Sequence, residues 1–213
     1  LNELAFQSNN PKEIEQFARQ ALNLALKANC LKGQADAHFR IGRAKAILAD
    51  FASAKRYYTH GIALRKQSGD SLSIANGYIT LGQLYKNQNK FDSAKFCYQN
   101  ALVFIQNKPV LSLAYLFNSL GTLYDKTNDF SLTRVYYRRG LAVYAKLLSS
   151  PSENLQDIQL GRAVLRMNFA SLIQDHYNQR KAAKDSLLKS LNDFEYLKTE
   201  EYLPLCRLFL GNN

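Results

Sequence analysis

The chain has 213 residues, 46% of them hydrophobic, with 4 prolines, 10 glycines and a formal net charge of +11. That length holds one or two compact domains or one elongated array, and the scarcity of proline and glycine excludes long disordered stretches. No run of apolar residues is long enough to span a membrane, no signal peptide is recognisable after Leu1, and Cys30, Cys97 and Cys206 are too widely spaced for a disulfide framework or a metal-ligand set.

The first segment, 1–33, reads as a partial repeat: a stub over 1–8, then a helix. Asn10 can cap that helix, Pro11 suits its first position and Glu13 favours its positive end. The helix is expected to run to about Ala28, with Gly33 in the break that follows. Each cysteine reads as a small buried apolar residue.

From there the chain repeats itself. Segment 34–74 holds FRIGRAK (39–45) and FASAKRYYTHGIAL (51–64), and closes at Ser68–Gly69–Asp70. Segment 75–113 holds ITLGQLY (79–85) and FDSAKFCYQNALVF (91–104), and Lys108–Pro109 is expected to open the next helix. Segment 114–150 holds NSLGTLY (118–124) and FSLTRVYYRRGLAV (130–143). Phe51, Phe91 and Phe130 occupy one slot, Tyr58, Tyr98 and Tyr137 a second, and Gly61, Ala101 and Gly140 a third, at offsets of 40 and 39 residues.

Segment 151–198 is a looser fourth copy, NFASLIQ (168–174) with KAAKDSLLKSLNDF (181–194), aligned by allowing one extra residue. Ser150–Pro151–Ser152–Glu153 is a capping-box pattern, which predicts a lengthened first helix over about 151–176, a disordered insertion being the alternative. FLGNN (209–213), within segment 199–213, starts a further repeat that is cut short. The array is therefore expected to continue beyond Asn213, and its open ends offer a surface for self-association.

Apolar residues recur at three- and four-residue steps in both halves of each unit, which is the helical period. Each unit is thus a helical hairpin and the fold is all-α. The glycines of Ile41–Gly42, Leu81–Gly82 and Leu120–Gly121 recur at one register, with Ala170 in the same slot of the fourth copy. Small residues there suit close approach of two helices.

These residues resemble the tetratricopeptide repeat family. The family pattern is met at Leu81, Gly82, Tyr85, Ala94, Tyr98 and Ala101, while Lys45, Gly61 and Thr133 depart from it in the neighbouring copies. The resemblance implies a right-handed α-solenoid of antiparallel hairpins and a non-catalytic surface that holds a protein or an extended peptide. Its usual period is about 34 residues. The longer period here is similar to arrays in bacterial signalling proteins, including sensory and adaptor regions, in peptide-pheromone receptors and in animal cargo adaptors.

In such arrays the first helices line an inner groove. Carried over by register, the groove residues are Phe39, Arg40, Arg43, Asn76, Gln83, Lys86, Asn87, Tyr115, Asn118, Thr122, Ser171 and Gln174. The amides can bond a peptide backbone as donors and acceptors, and Arg40, Arg43 and Lys86 can pair with a ligand carboxylate. The lysine slots of the family's chaperone-tail clamp hold Phe39 and Ile79, so chaperone-tail binding is not expected. Lys55, Lys95, Arg134 and Lys184 share a slot in the second helices, with Arg138 nearby, giving a basic stripe on the outer face. That stripe reads as a solvated face, or as a site for an acidic partner, a membrane surface or nucleic acid. A solenoid binding nucleic acid through this stripe is the alternative function.

No catalytic constellation is legible. His38, His60 and His176 lack helical metal spacing and read as surface or turn histidines. No phosphate loop or nucleophile elbow occurs, and no metal or cofactor is expected. The region reads as soluble, cytoplasmic or periplasmic.

Overall fold

In a computed structural model, residues 3, 8–149 and 154–211 are described. They contain ten α-helices and no β-strand. The helices are α1 (Pro11–Lys27), α2 (Leu31–Ile47), α3 (Phe51–Ser68), α4 (Ser71–Asn87), α5 (Phe91–Ile105), α6 (Leu111–Lys126), α7 (Phe130–Leu148), α8 (Leu155–Asp175), α9 (Arg180–Tyr196) and α10 (Leu203–Gly211), with a 3₁₀ turn at Glu200–Tyr202 before the last. Most of the stub over 1–8, the capping box at 150–153 and the final two asparagines lie outside the described residues.

The chain forms two compact units, Leu1–Gln106 and Asn107–Asn213. In the first, α2 packs most extensively on α3, α4 on α5 and α1 on α2, with α3 against α4. In the second the pairs are α6 with α7 and α8 with α9, while α7 and α6 both reach α8.

One turn design joins the hairpins. Asn29, Asn89, Asn128 and Asn178 all have positive φ, between 48° and 60°. Asparagine tolerates this left-handed conformation because its short amide bonds locally. After Asn29, Asn89 and Asn128, the next amide N–H closes back to a carbonyl of the ended helix: Cys30 to Ala25, Lys90 to Tyr85 and Asp129 to Tyr124, each at 2.9 Å. In the fourth turn Gln179 N–H reaches Ile173 O, one residue further back. The extra residue of the fourth copy therefore sits in the turn, where neither helix is disturbed. Asp50, Asp70 and Asp129 then cap the following helices with their carboxylates.

Three local readings need correction. Gly33 lies inside α2 rather than in a break, because the turn at 28–30 ends α1 and the Cys30 Sγ accepts the Gly33 N–H at 3.4 Å. Cys30 is accordingly exposed at a helix start, whereas Cys97 and Cys206 are buried. The sixth helix begins at Leu111, not at Lys108–Pro109. The residue before a proline is pushed out of the helical region, so Lys108 cannot start the helix. The lengthened helix of the fourth copy is present as α8, of 21 residues.

The residues that depart from the repeat pattern have local partners. Lys45 bonds Glu15 of α1 at 2.8 Å. Burial alone raises the Glu15 carboxyl, but its hydrogen bonds to Lys45 and Arg19 outweigh this and hold it low. Thr133 is fully buried and its hydroxyl donates to Asp129 O at 2.8 Å.

Three first-helix glycines each pack closely against a second-helix tyrosine of the same hairpin. A Cβ on Gly42 would lie 2.5 Å from Tyr58 Cε1, and one on Gly82 would lie 2.5 Å from Tyr98 Cε1. Gly121 meets Tyr137 in the same way. The three tyrosines are 5% exposed or less, so the rings have nowhere to retreat. In the fourth hairpin the buried Ala170 and Leu187 share one core cluster. A methyl and a branched aliphatic replace the hole and the ring.

Gly82→Ala should destabilise the protein by about 2 kcal/mol through overpacking, and the double variant with Tyr98→Leu should cost less than the two single costs added, as read by denaturant unfolding. Ala49 adopts a φ of 58° in the turn between α2 and α3, where the other hairpin turns use asparagine. Ala49→Gly should therefore stabilise by roughly 0.5–1 kcal/mol, seen as a higher melting temperature.

Candidate functional site

A cavity of about 290 Å³ opens in the first unit. Asp36, Phe39, Arg40 and Arg43 of α2 line it, with Tyr58 and Arg65 of α3 and Asn76 and Thr80 of α4. The spacings of three, four and seven residues place each set on one helix face. Four groove residues expected from register meet here: Phe39, Arg40, Arg43 and Asn76.

Phe39 belongs mainly to the core. It is 9% exposed, stacks on Tyr58 at 5.5 Å, and its ring fills the space a Cβ on Gly61 or Gly77 would need. It is a floor for the cavity rather than an exposed contact.

Arg65 is the residue that register reasoning missed. Its guanidinium carbon lies 4.0 Å from the Phe39 ring centroid. One Nη donates to Ser73 O at 2.8 Å and the other to Asp36 Oδ1 at 3.1 Å. The side chain is 14% exposed, and its buried Nε has no hydrogen-bond partner. Arg65 and Lys66 stand in the last turn of α3, where basic residues usually complement the helix dipole. That conventional role hid a side chain that runs back into the cavity.

The cavity is strongly positive. Among its lining residues three guanidiniums face one carboxylate. Burial lowers the Arg40 pKa, Asp36 opposes that, and Arg43 and Arg65 add to it. Burial pushes the Tyr58 phenol up to about 12 although Arg43 and Arg40 pull the other way. Tyr58 is therefore a protonated hydrogen-bonding group at neutral pH. Thr80 Oγ1 donates to Asn76 O at 2.9 Å.

The other expected groove residues of this unit lie outside the cavity. Gln83 is exposed and its Oε1 accepts from Tyr98 OH at 2.9 Å. Lys86 is half-buried and Asn87 exposed, in the last turn of α4.

The second unit has its own cavity of about 280 Å³. It brings together Thr122 and Ser171, with Asp125, Lys126, Asn168, Asp175 and His176, and with Leu205 and Phe209 of α10. Ser171 donates to Asp175 at 3.0 Å. Asn118 stands beside this cavity, accepting from Asn168 Nδ2 at 3.1 Å. Tyr115 packs edge-on to Tyr144, and Gln174 is half-buried with its Oε1 enclosed and without a hydrogen-bond partner.

On α3, α5, α7 and α9 the side chains of Lys55, Lys95, Arg138 and Lys184 are exposed. Arg134 is half-buried, its guanidinium 4.7 Å from the Tyr177 ring centroid. Lys55 lies 5.8 Å from the Tyr85 ring centroid.

His60 and His176 are exposed, His176 at the turn that ends α8, as expected, whereas His38 is half-buried. His38 and His60, far apart in sequence, have ring centroids 4.4 Å apart, and His176 stacks on Phe130 at 3.5 Å. Among the described residues no group of three or more His, Cys, Asp or Glu side chains could hold a metal. No helix among them is long and apolar enough to cross a membrane. Burial, and then the nearby His60, depress the His38 pKa from 6.5 to about 4. The unfolded chain thus takes up a proton that the folded chain refuses until the pH is much lower. Stability should fall as the pH drops from 6.5 towards 4, and His38→Gln should flatten that slope in thermal melts.

Comparison with known proteins matches residues 35–68 and 75–102 to the profile of the tetratricopeptide repeat. No curated protein matches the chain. Among solved structures, BtubC (BKLC) from P. vanneervenii superposes with a TM-score of 0.79 at 16% identity, over 96% of this chain and 83% of that one. The nearly identical TPR-like repeats of a putative kinesin light chain from Podosopora anserina give 0.64 at 16% identity, over 94% and 95%. A Rap protein complexed with competence and sporulation factor gives 0.64 at 16% identity, over 95% of this chain but only 58% of its own length. The two matched hairpins are tetratricopeptide repeats, in a chain whose fold is that of tetratricopeptide-like helical-repeat proteins.

Proposed function

We propose that the chain is a non-catalytic scaffold that holds an extended peptide or protein segment, as part of a larger bacterial signalling protein. The observation that carries this reading is the cavity over α2 and α4, where the polar side chains of Arg40, Arg43, Asn76 and Thr80 converge above the buried Phe39. An apolar floor with a few convergent polar groups is the usual make-up of a ligand site. Asn76 offers both donors and an acceptor to a peptide backbone. The likeness of fold to a Rap protein solved with competence and sporulation factor supports a bound factor as the ligand class. The signalling context rests on the long repeat period and on that same likeness.

Selection of random 12-residue peptides on the immobilised chain tests the reading. Enrichment of a peptide family is expected, and Asn76→Ala should weaken its binding about 10-fold, the worth of one good hydrogen bond to a buried group. Failure to enrich any peptide, or equal binding to the folded variant, overturns it.

A further inference from the structure

We propose that copies of this chain associate head to tail, the acidic turn around Tyr196 of one copy docking into a basic-rimmed aromatic groove of the next. The groove shares no lining residue with the cavity over α2 and α4, and the association does not depend on a peptide being held there.

The groove belongs to the first unit. Tyr78, Leu81 and Tyr85 of α4 form one wall, and Asp92, Phe96 and Cys97 of α5 the other, around a cavity of about 360 Å³. Steps of three and four residues place each set on one face of its helix. Phe96 is 64% exposed, although an aromatic side chain is more stable out of water. Two ammonium groups of α3 stand over the α4 tyrosines. Lys55 Nζ is 5.8 Å from the Tyr85 ring centroid, and Lys66 Nζ is 5.3 Å from that of Tyr78. Against these two cations the lining sets one carboxylate, Asp92. An aromatic floor under a cationic rim favours an occupant with an apolar anchor flanked by carboxylates.

The chain carries such a segment itself. In a protein of net charge +11, three of the seven glutamates fall within residues 195–201, with Lys198 as the one cation among them. Tyr196, the last residue of α9, is 79% exposed. A φ of 54° at Lys198 turns the chain there, which leaves the tyrosine at the corner between α9 and the 3₁₀ turn Glu200–Tyr202. Glu195 bonds Arg207 at 3.4 Å, while Glu200 and Glu201 are exposed. A tyrosine suits the groove because its ring can be buried while its hydroxyl stays at the wet edge. Seating it there brings Glu200 and Glu201 towards the rim of Lys55 and Lys66. Opposite charge steers the approach and fixes its orientation more than it adds affinity. The contact is small, so the association is weak and reversible.

Groove and turn are different patches, so the contact is heterologous: each copy offers its groove to one neighbour and its turn to another. Charge reversal exploits this. Lys55→Glu with Lys66→Glu reverses the rim, and Glu200→Lys with Glu201→Lys reverses the turn. Both variants and the unaltered chain, each checked for a cooperative melt, are followed by sedimentation velocity over a concentration series. The unaltered chain should sediment faster as concentration rises, and less so in high salt. Either variant alone should stay monomeric. An equimolar mixture of the two should associate again, because each supplies the sign of charge that the other needs, and misfolding cannot produce that rescue. Tyr196→Ala should weaken association of the unaltered chain and of the mixture at least about 10-fold, as expected for an aromatic anchor. Asp92→Asn should strengthen that of the unaltered chain several-fold. An unaltered chain that is monomeric at every concentration overturns the proposal. So does association that survives either reversal or Tyr196→Ala, or a mixture no more associated than its components.

Discussion

The contact on which the rest depends is a tyrosine ring lying on a glycine. At Gly42–Tyr58, Gly82–Tyr98 and Gly121–Tyr137 the ring occupies the volume that any other residue's Cβ would need. This sets how near the two helices of a hairpin can come, because protein interiors are packed without slack. The cavity of the first unit inherits its dimensions from that spacing. Tyr58 is at once the ring against Gly42 and part of the cavity wall. Phe39, wedged against the glycines at 61 and 77, supplies the floor on which Arg65 lies.

The positive character of the site follows from the same packing. Arg65 stands on the second helix of its hairpin, yet the missing side chain at Gly77 and the flat face of Phe39 let its guanidinium lie back under α4. Cation–π contact and two hydrogen bonds hold it there. Once that charge is fixed inside, Arg40 and Arg43 at successive turns of α2 bring two more guanidiniums to the wall that also holds the carboxylate of Asp36. The cavity of the second unit has a different lining. It carries Asp125 and Asp175 against Lys126, and apolar residues of α10 form part of its wall.

The helical hairpins and the turns at Asn89 and Asn128 were legible because three signals coincide there: the helical period, the recurring glycine and aromatic slots, and the polar turn residues, whereas the segment starts at 34, 75 and 114 fall three or four residues inside helices that begin at Leu31, Ser71 and Leu111. The extra residue of the fourth copy was also legible, and the turn at 176–179 takes it up. What stayed hidden was contact between residues distant in sequence. Nothing in a spacing of 22 residues says that His38 and His60 touch, and nothing in a helix-terminal Arg–Lys pair says that Arg65 turns inward. Register grouped Arg40, Arg43 and Asn76, which line one cavity, but it grouped Phe39 with them as an exposed contact, and Phe39 is buried. Cys30 and Gly33 escaped for a different reason: the asparagine turn before them was read as a longer break.

The glycine and its tyrosine lie 16 residues apart in each of the three hairpins, so each hairpin carries both halves of its own lock. Contacts that local close little chain entropy, and a hairpin can form before its neighbours do. The locks are also alike. The same residue types at the same spacing recur in three hairpins, and pairing between the wrong repeats is a characteristic folding error of repeat proteins. The fourth hairpin, with Ala170 and Leu187 in those places, has a lock of a different shape. Variation among repeats then acts as an address system, telling each helix which partner is its own.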